Sequence, residues 1–463
     1  MMTPVFDVES SHGCGSEQRQ RRSRIAVIIS AIMFSCLIGK SHSSPVAADD
    51  WSQWRGKNRD GVWRESGILT KFSKGDLEPV WRQPIGTGYS SPTVAQGKVV
   101  LMDFDDSKQN ESIRCFDAKT GKSVWSHTYH SEYRISYAAG PRAAVTIDDG
   151  KAYALGAMGR FHCLDVSDGS VVWEDDLNKS YRISADKRMP IWGIACSPIV
   201  MGDLVIIQLG AKDAGVVAFN KQSGNEVWRS LDDRGQYSSP VMVKQNEKDV
   251  LICWTGDSVA GLNPLSGETY WRHPFAPTRM PIGVATPIVQ GNRVFMTSFY
   301  DGAMMLELSQ TEMAVTELWH EIGPNEKVTK AIHSIISTPI WIGEHIYGVD
   351  SYGELRCIKA SDGSRVWEDL TAVKKNRWAT IHFVPNGENI WMLNEQGELM
   401  VGQLSPEGLQ VTSRESILAP DQMRSRNRKD GVCWSHPAFA DKCVFVRNDH
   451  ELVCISLAKE QEN

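Results

Sequence analysis

The sequence has no CxxC pair, no two adjacent cysteines and no Cys/His cluster at zinc-finger spacing, although it contains ten cysteines in 463 residues. Dithiol-redox and zinc-ribbon classes therefore have no local motif to rest on. GxSxG, HExxH and phosphate-loop signatures are missing too, which removes the common hydrolase, metalloprotease and nucleotide-binding readings. Gly86-Thr87-Gly88 leads into a strand-like run rather than a helix, so it reads as a turn and not a dinucleotide site. There is no excess of positive charge: 50 Lys+Arg against 56 Asp+Glu give a net charge of −6. A nucleic-acid partner is not expected, because phosphate binding needs a basic face. Beyond the N-terminal region no apolar run approaches the ~20 residues of a membrane-spanning helix.

What is present begins with an export-like segment. Arg19, Arg21, Arg22 and Arg24 precede an apolar run from Ile25 to Ile38, and Val46-Ala47-Ala48 offers small residues ahead of Asp49. This order of basic, apolar and small residues is that of a signal peptide. We expect residues 1–48 to be removed, which takes away five basic and three acidic groups and brings the charge from −6 to −8. A retained anchor is the alternative. Cys36 follows a poor lipobox, and the Arg21-Arg22 pair only hints at twin-arginine export. The expected location is the periplasm or the exterior of a bacterial cell.

Tryptophan is abundant, with 16 copies against 11 Tyr and 13 Phe, and a repeat accounts for it. Gly-x-x-x-Trp recurs at Trp125, Trp173, Trp228, Trp271 and Trp367. Trp81 and Trp319 fall in step without the glycine, and successive intervals are 44, 48, 55, 43, 48 and 48 residues. Ahead of each Trp lies a Ser/Thr-Pro element, as in Ser91-Pro92-Thr93-Val94, Ser197-Pro198, Ser239-Pro240, Thr286-Pro287 and Thr338-Pro339. Two short β-rich runs separate the elements, so each unit holds four strands, with proline where a strand starts. A period in this range is the mark of propeller blades. The middle runs, such as Leu204-Val205-Ile206-Ile207, are apolar on both faces, as sheets stacked between sheets require. Six plain units end at Trp125 through Trp367. A seventh, from about Trp378 to Thr412, has lost its Trp. An eighth begins at His436 and stops three strands in, at Leu457. Glu78-Pro79-Val80-Trp81 supplies the missing strand, and such closure removes exposed edges. The expected fold is an all-β, eight-bladed β-propeller of four-stranded antiparallel blades closed by the two chain ends, with seven blades as the alternative. The expected boundaries are a signal peptide at 1–48, a lead-in at 49–77, the propeller at 78–457 and a tail at 458–463.

The Asp117–Trp125 segment and its copies resemble the repeats of pyrroloquinoline-quinone (PQQ)-type propellers, which include quinoprotein dehydrogenases and the BamB-type subunit of the outer-membrane assembly machinery. Trp51-Ser-Gln-Trp54-Arg55-Gly56 resembles the lead-in of secreted members of that group. The resemblance spans about 80% of the chain. It implies a girdle in which Trp81, Trp125, Trp173, Trp228, Trp271, Trp319 and Trp367 dock against neighbouring blades near the Gly turns. For a dehydrogenase it also implies a quinone held between a tryptophan and a disulfide of adjacent cysteines, a calcium on carboxylate and amide ligands, and an aspartate base.

Several residues are candidates for chemistry. Cations precede nearly every first strand: Arg134, Arg188, Arg234, Arg279, Lys330, Arg377, and Arg424 or Arg426. They are placed at one channel mouth, where a ring of positive charge would focus field on an anionic ligand. Cys115, Cys163, Cys357 and Cys454 share one position in the third strand and read as small buried hydrophobes. Asp103, Asp105, Asp106, Asn110 and Glu111 read as a solvated loop without the EF-hand glycine or spacing. His127 and His130 read as a surface pair. The expected function is a non-catalytic binding or scaffolding propeller of the cell envelope, with a protein, peptide or anionic polymer as ligand and no cofactor. The alternative is a PQQ- and calcium-dependent oxidoreductase acting on an alcohol or sugar.

Overall fold

A computed structural model describes residues 50–136, 140–420, 428 and 430–459. The expected signal peptide lies outside these residues. Thirty-two strands assemble into eight four-stranded antiparallel sheets, the blades of a propeller. Blade 1 shows the plan, with strands Thr93–Ala95, Lys98–Asp105, Asn110–Asp117 and Ser123–His130 ordered from channel to rim. Blades 2 to 8 begin at Thr146, Ile199, Val241, Ile288, Ile340, Ile381 and Ala438. Blade 8 takes its outermost strand from the other end of the chain: Pro79–Pro84 pairs with Glu451–Ser456, with Trp81 opposite Cys454 and Arg82 opposite Val453. The ring is closed by joining the two ends of the chain, with eight blades and not seven.

Burial follows from stacking. Leu204–Ala211 is buried at every residue, whereas Ser123–His130 at the rim buries only alternate positions. The core is therefore not central but lies between blades. Val205, Ile207, Val217 and Phe219 of blade 3, for example, pack against Tyr153, Leu155 and Phe161 of blade 2. Each such side chain contributes about 1.5–3 kcal/mol by leaving water.

The repeated tryptophans sit at these interfaces. The indole Nε1 of Trp125 donates to Val166 O of the next blade at 2.8 Å, and Trp81, Trp173, Trp228, Trp319 and Trp367 make equivalent bonds to Ala118, Lys221, Pro264, Ala360 and Ser405. The turn glycine forms the floor of the dock: a Cβ added at Gly169 would lie 2.6 Å from Trp125 Cδ2. Trp271 differs because the next blade lacks the glycine turn. Its Nε1 donates to Gln245 Oε1, whose amide nitrogen donates in turn to Ala314 O of blade 5. Opposite six of the seven indoles the third strand carries a small residue, Cys115, Cys163, Ala218, Gly261, Cys357 or Cys454, whereas Trp319 faces Met305. The four cysteines are buried and unpaired.

Two sequence readings change with the pleat. Asp103 and Glu111 are buried, not solvated. Asp103 pairs with Arg114 at 2.7 Å, and Glu111 accepts from Tyr129 Oη at 2.6 Å, from Tyr133 Oη and from Ala157 N. His127 and His130 are three residues apart in one strand and so face opposite ways. His127 turns toward blade 2, and only His130 is exposed.

Candidate functional site

Innermost strands present an unpaired edge to the channel, and buried backbone amides need partners. The Ser/Thr of the Ser/Thr-Pro element supplies some of them across blades. Ser197 Oγ accepts from Ala144 N, Ser239 Oγ from Ser197 N and Thr338 Oγ1 from Thr286 N, at 2.9–3.0 Å. The lead-in supplies others. Trp51 and Val94 exchange both backbone bonds, Ser52 O accepts from Ile147 N, and the Arg59 guanidinium donates to Ser197 O and Pro198 O. Burial lowers the Arg59 pKa to about 10. Trp54 crosses the channel and donates to Thr286 Oγ1 at 2.7 Å. The segment then leaves between blades 7 and 8, where Trp63 packs on Trp391 and Phe439 before the chain reaches Pro79. The lead-in is thus a plug that touches the inner edges of several blades.

Against Trp54 lies a cavity of about 130 Å³. Every blade contributes at least one residue from just ahead of its first strand: Tyr89, Arg142, Ala195, Tyr237, Val284, Ile336, Trp378 and Trp434. Trp192 adds a further ring, 5.0 Å from Tyr237. Tyr89 and Trp378 lie 5.9 and 6.3 Å from Trp434, so aromatic rings form an arc around the wall. Arg142 sits over Tyr89 with its pKa lowered by burial. His382 and His436 stand ring to ring at 4.9 Å. Burial drives both imidazoles toward the neutral form, His382 to about 4. Ser91 Oγ and His382 Nδ1 are buried lining atoms without a hydrogen-bond partner.

The described members of the cation set expected at the mouth do not line this cavity. Each described one is matched by a carboxylate: Arg134 by Glu132, Arg188 by Asp232, Arg234 by Asp257, Lys330 by Glu321, and both Arg279 and Arg377 by Glu326. Arg424 and Arg426 lie outside the described residues. The lining residues sit closer to the strand than these cations. Tyr89, Tyr237 and Trp434 stand two places before Ser91, Ser239 and His436, a period-locked signal that the repeat alignment already contained.

The family described as outer membrane protein assembly factor BamB matches residues 62–133 and 108–369. The chain belongs to this PQQ-like, BamB-type propeller family. An outer membrane protein assembly factor BamB from Burkholderia pseudomallei is 23% identical over 344 residues, covering 70% of this chain and 71% of that protein. BamB from Moraxella catarrhalis superposes with a TM-score of 0.54 at 15% identity, covering 84% of this chain and 99% of that one. A europium-containing methanol dehydrogenase superposes with a TM-score of 0.59 at 13% identity, covering 86% and 89%. At these identities the two structures speak to the fold alone.

A dehydrogenase of PQQ type would hold a quinone and a metal ion, and the donor set can be tested against that need. Among the described residues lining this pocket there is no Asp, Glu or Cys. A hard cation wants oxygen ligands, several of them carboxylate. The lining offers serine and tyrosine hydroxyls, two neutral imidazoles and aromatic carbon, but no carboxylate to balance the charge of the ion. The pocket residues do not fit a calcium–quinone pair.

Proposed function

We propose that this chain is a non-catalytic scaffold of the bacterial cell envelope that docks a partner protein by receiving an aromatic or apolar side chain in the axial pocket. The observation that carries the reading is the pocket itself: a channel stopped by Trp54, walled by aromatic rings, with two unpartnered polar atoms and no lining carboxylate. Such a site suits a side chain with an apolar body and a polar tip. Burying one indole-sized group of ~150–250 Å² is worth roughly 4–6 kcal/mol before ordering costs. The BamB relatives support an envelope protein as partner. Among the described residues no helix is long and apolar enough to cross a membrane. The basic–apolar–small order of residues 1–48 supports export.

The test is cross-linking capture from envelope extracts by the full chain and by a Trp192→Ala/Trp434→Ala variant of unchanged thermal stability. A discrete partner retained about 10–100-fold more weakly by the variant is expected, since central aromatic anchors carry most interface energy. Equal retention by both proteins, or none by the wild type, refutes the reading. Absorbance after adding PQQ with calcium addresses the oxidoreductase alternative, and no bound quinone is expected.

A further inference from the structure

Three ligating side chains meet where the outer strands of blades 1 and 2 face each other, apart from the channel. His162 on the third strand of blade 2 stands directly opposite Glu174 on the outermost strand. His127 reaches in from the outermost strand of blade 1, its ring edge-on to His162 with centroids 5.1 Å apart. One donor atom from each of the three lies within 4.8 Å of the others.

The cluster has an unmet need. His162 is wholly buried, and neither of its ring nitrogens has a hydrogen-bond partner, nor does His127 Nε2. Nε2 of His162 is 3.2 Å from Glu174 Oε2, yet not aligned for a hydrogen bond. An unsatisfied buried polar group costs about 1–3 kcal/mol, so such an arrangement calls for a partner. Bonds of about 2.0–2.1 Å to a tetrahedral ion put neighbouring donors roughly 3.3 Å apart, so one edge of the polyhedron already has its length. Burial keeps both imidazoles neutral, the form that ligates, with His162 pushed down to about 3. The remaining charges facing the cluster are Arg160 and Asp176. Arg160 lies 3.6 Å from Asp176 and 3.9 Å from Glu174, so Asp176 offers it an alternative partner when Glu174 binds an ion.

We propose that His127, His162 and Glu174 form a divalent-metal site of zinc type that cross-links blades 1 and 2. Two imidazoles and a carboxylate select a borderline ion such as zinc over calcium or magnesium. Glu174 is half exposed, which leaves the fourth coordination position open to water. The ion bridges two blades that otherwise meet only through side-chain packing and hydrogen bonds. This inference is independent of the pocket reading.

The test uses the full chain stripped with a chelator and titrated with Zn²⁺ by calorimetry and with Co²⁺ by visible absorbance. About one equivalent is expected to bind with micromolar affinity or better, with a tetrahedral or five-coordinate cobalt spectrum lacking thiolate charge-transfer bands. Glu174→Gln and His127→Phe, both outside the wholly buried core, should weaken that equivalent ~10-fold or more. Metal should raise the melting temperature of the wild type but not of the variants. Three results overturn the proposal: no zinc bound at about 100 μM, unchanged affinity in both variants, or a cobalt spectrum showing cysteine ligation. His162→Phe should abolish the site; if it fails to fold, Glu174→Gln and His127→Phe decide alone.

Discussion

The docking of each Trp on the next blade's turn can be tested as an energy. Gly169 has a φ of +76° and Gly97 a φ of +69°, but an added Cβ meets Trp125 at 2.6 Å in the first case and nothing within 4 Å in the second. Gly97→Ala should therefore cost only the left-handed backbone strain, about 1–2 kcal/mol. Gly169→Ala adds displacement of the indole by about 1 Å, because carbon atoms pack at ~3.5–4.0 Å. That movement weakens the Nε1–Val166 bond of 2.8 Å, worth about 1 kcal/mol net. It also gives up part of the burial of a residue only 8% exposed, about 2 kcal/mol if half of it is lost. The total is about 4–5 kcal/mol. Trp125→Ala alone should cost about 3–5 kcal/mol. In that background Gly169→Ala should cost no more than Gly97→Ala, a coupling of about 2–3 kcal/mol. Equilibrium denaturation with urea reads all four variants against the wild type. Over about 400 ordered residues, 4 kcal/mol corresponds to a shift in melting temperature of ~5 °C. If Gly169→Ala and Trp125→Ala prove additive within about 0.5 kcal/mol, the indole is not held by that turn, and the reasoning fails.

Ring closure predicts that removing residues up to Pro84 leaves Glu451–Ser456 as an open edge; size-exclusion chromatography should show aggregates, and a folded monomer would refute it. Stability should also fall with acid in a defined window. His382 has its pKa lowered from 6.5 to about 4, so the unfolded chain takes up a proton that the folded chain refuses as pH drops from about 6.5 to 4. This one group should remove about 1.4 kcal/mol per pH unit there, and His382→Gln should flatten the slope measured by urea denaturation at stepped pH. An unchanged slope in the variant would show that His382 is charged or solvated in the native state.

The repeat made most of this architecture legible. Gly-x-x-x-Trp at a period of 43–55 residues, the Ser/Thr-Pro strand starts and the incomplete eighth unit led to eight blades and to Pro79–Pro84 as the closing strand. Those features are local or periodic, and a sheet buried on both faces writes its apolar runs directly into the chain. The buried cysteines were readable for the same reason, since they recur at the third-strand position that faces an indole and is small in every blade of the girdle but the fifth, where Met305 faces Trp319. The candidate site was less legible. Cations such as Arg234 and Lys330 looked like a charged ring because their carboxylate partners Asp257 and Glu321 fall outside the repeat position used to align them. The 49–77 segment was readable as a lead-in, and only the fold carried Trp54 and Arg59 to blades 5 and 3. His127 and His162 come from different blades, 35 positions apart with no motif spacing between them. What the chain determines alone is what repeats along it. What meets across blade interfaces or in the channel depends on how the ring closes, because those contacts join residues whose only relation is their place around the axis.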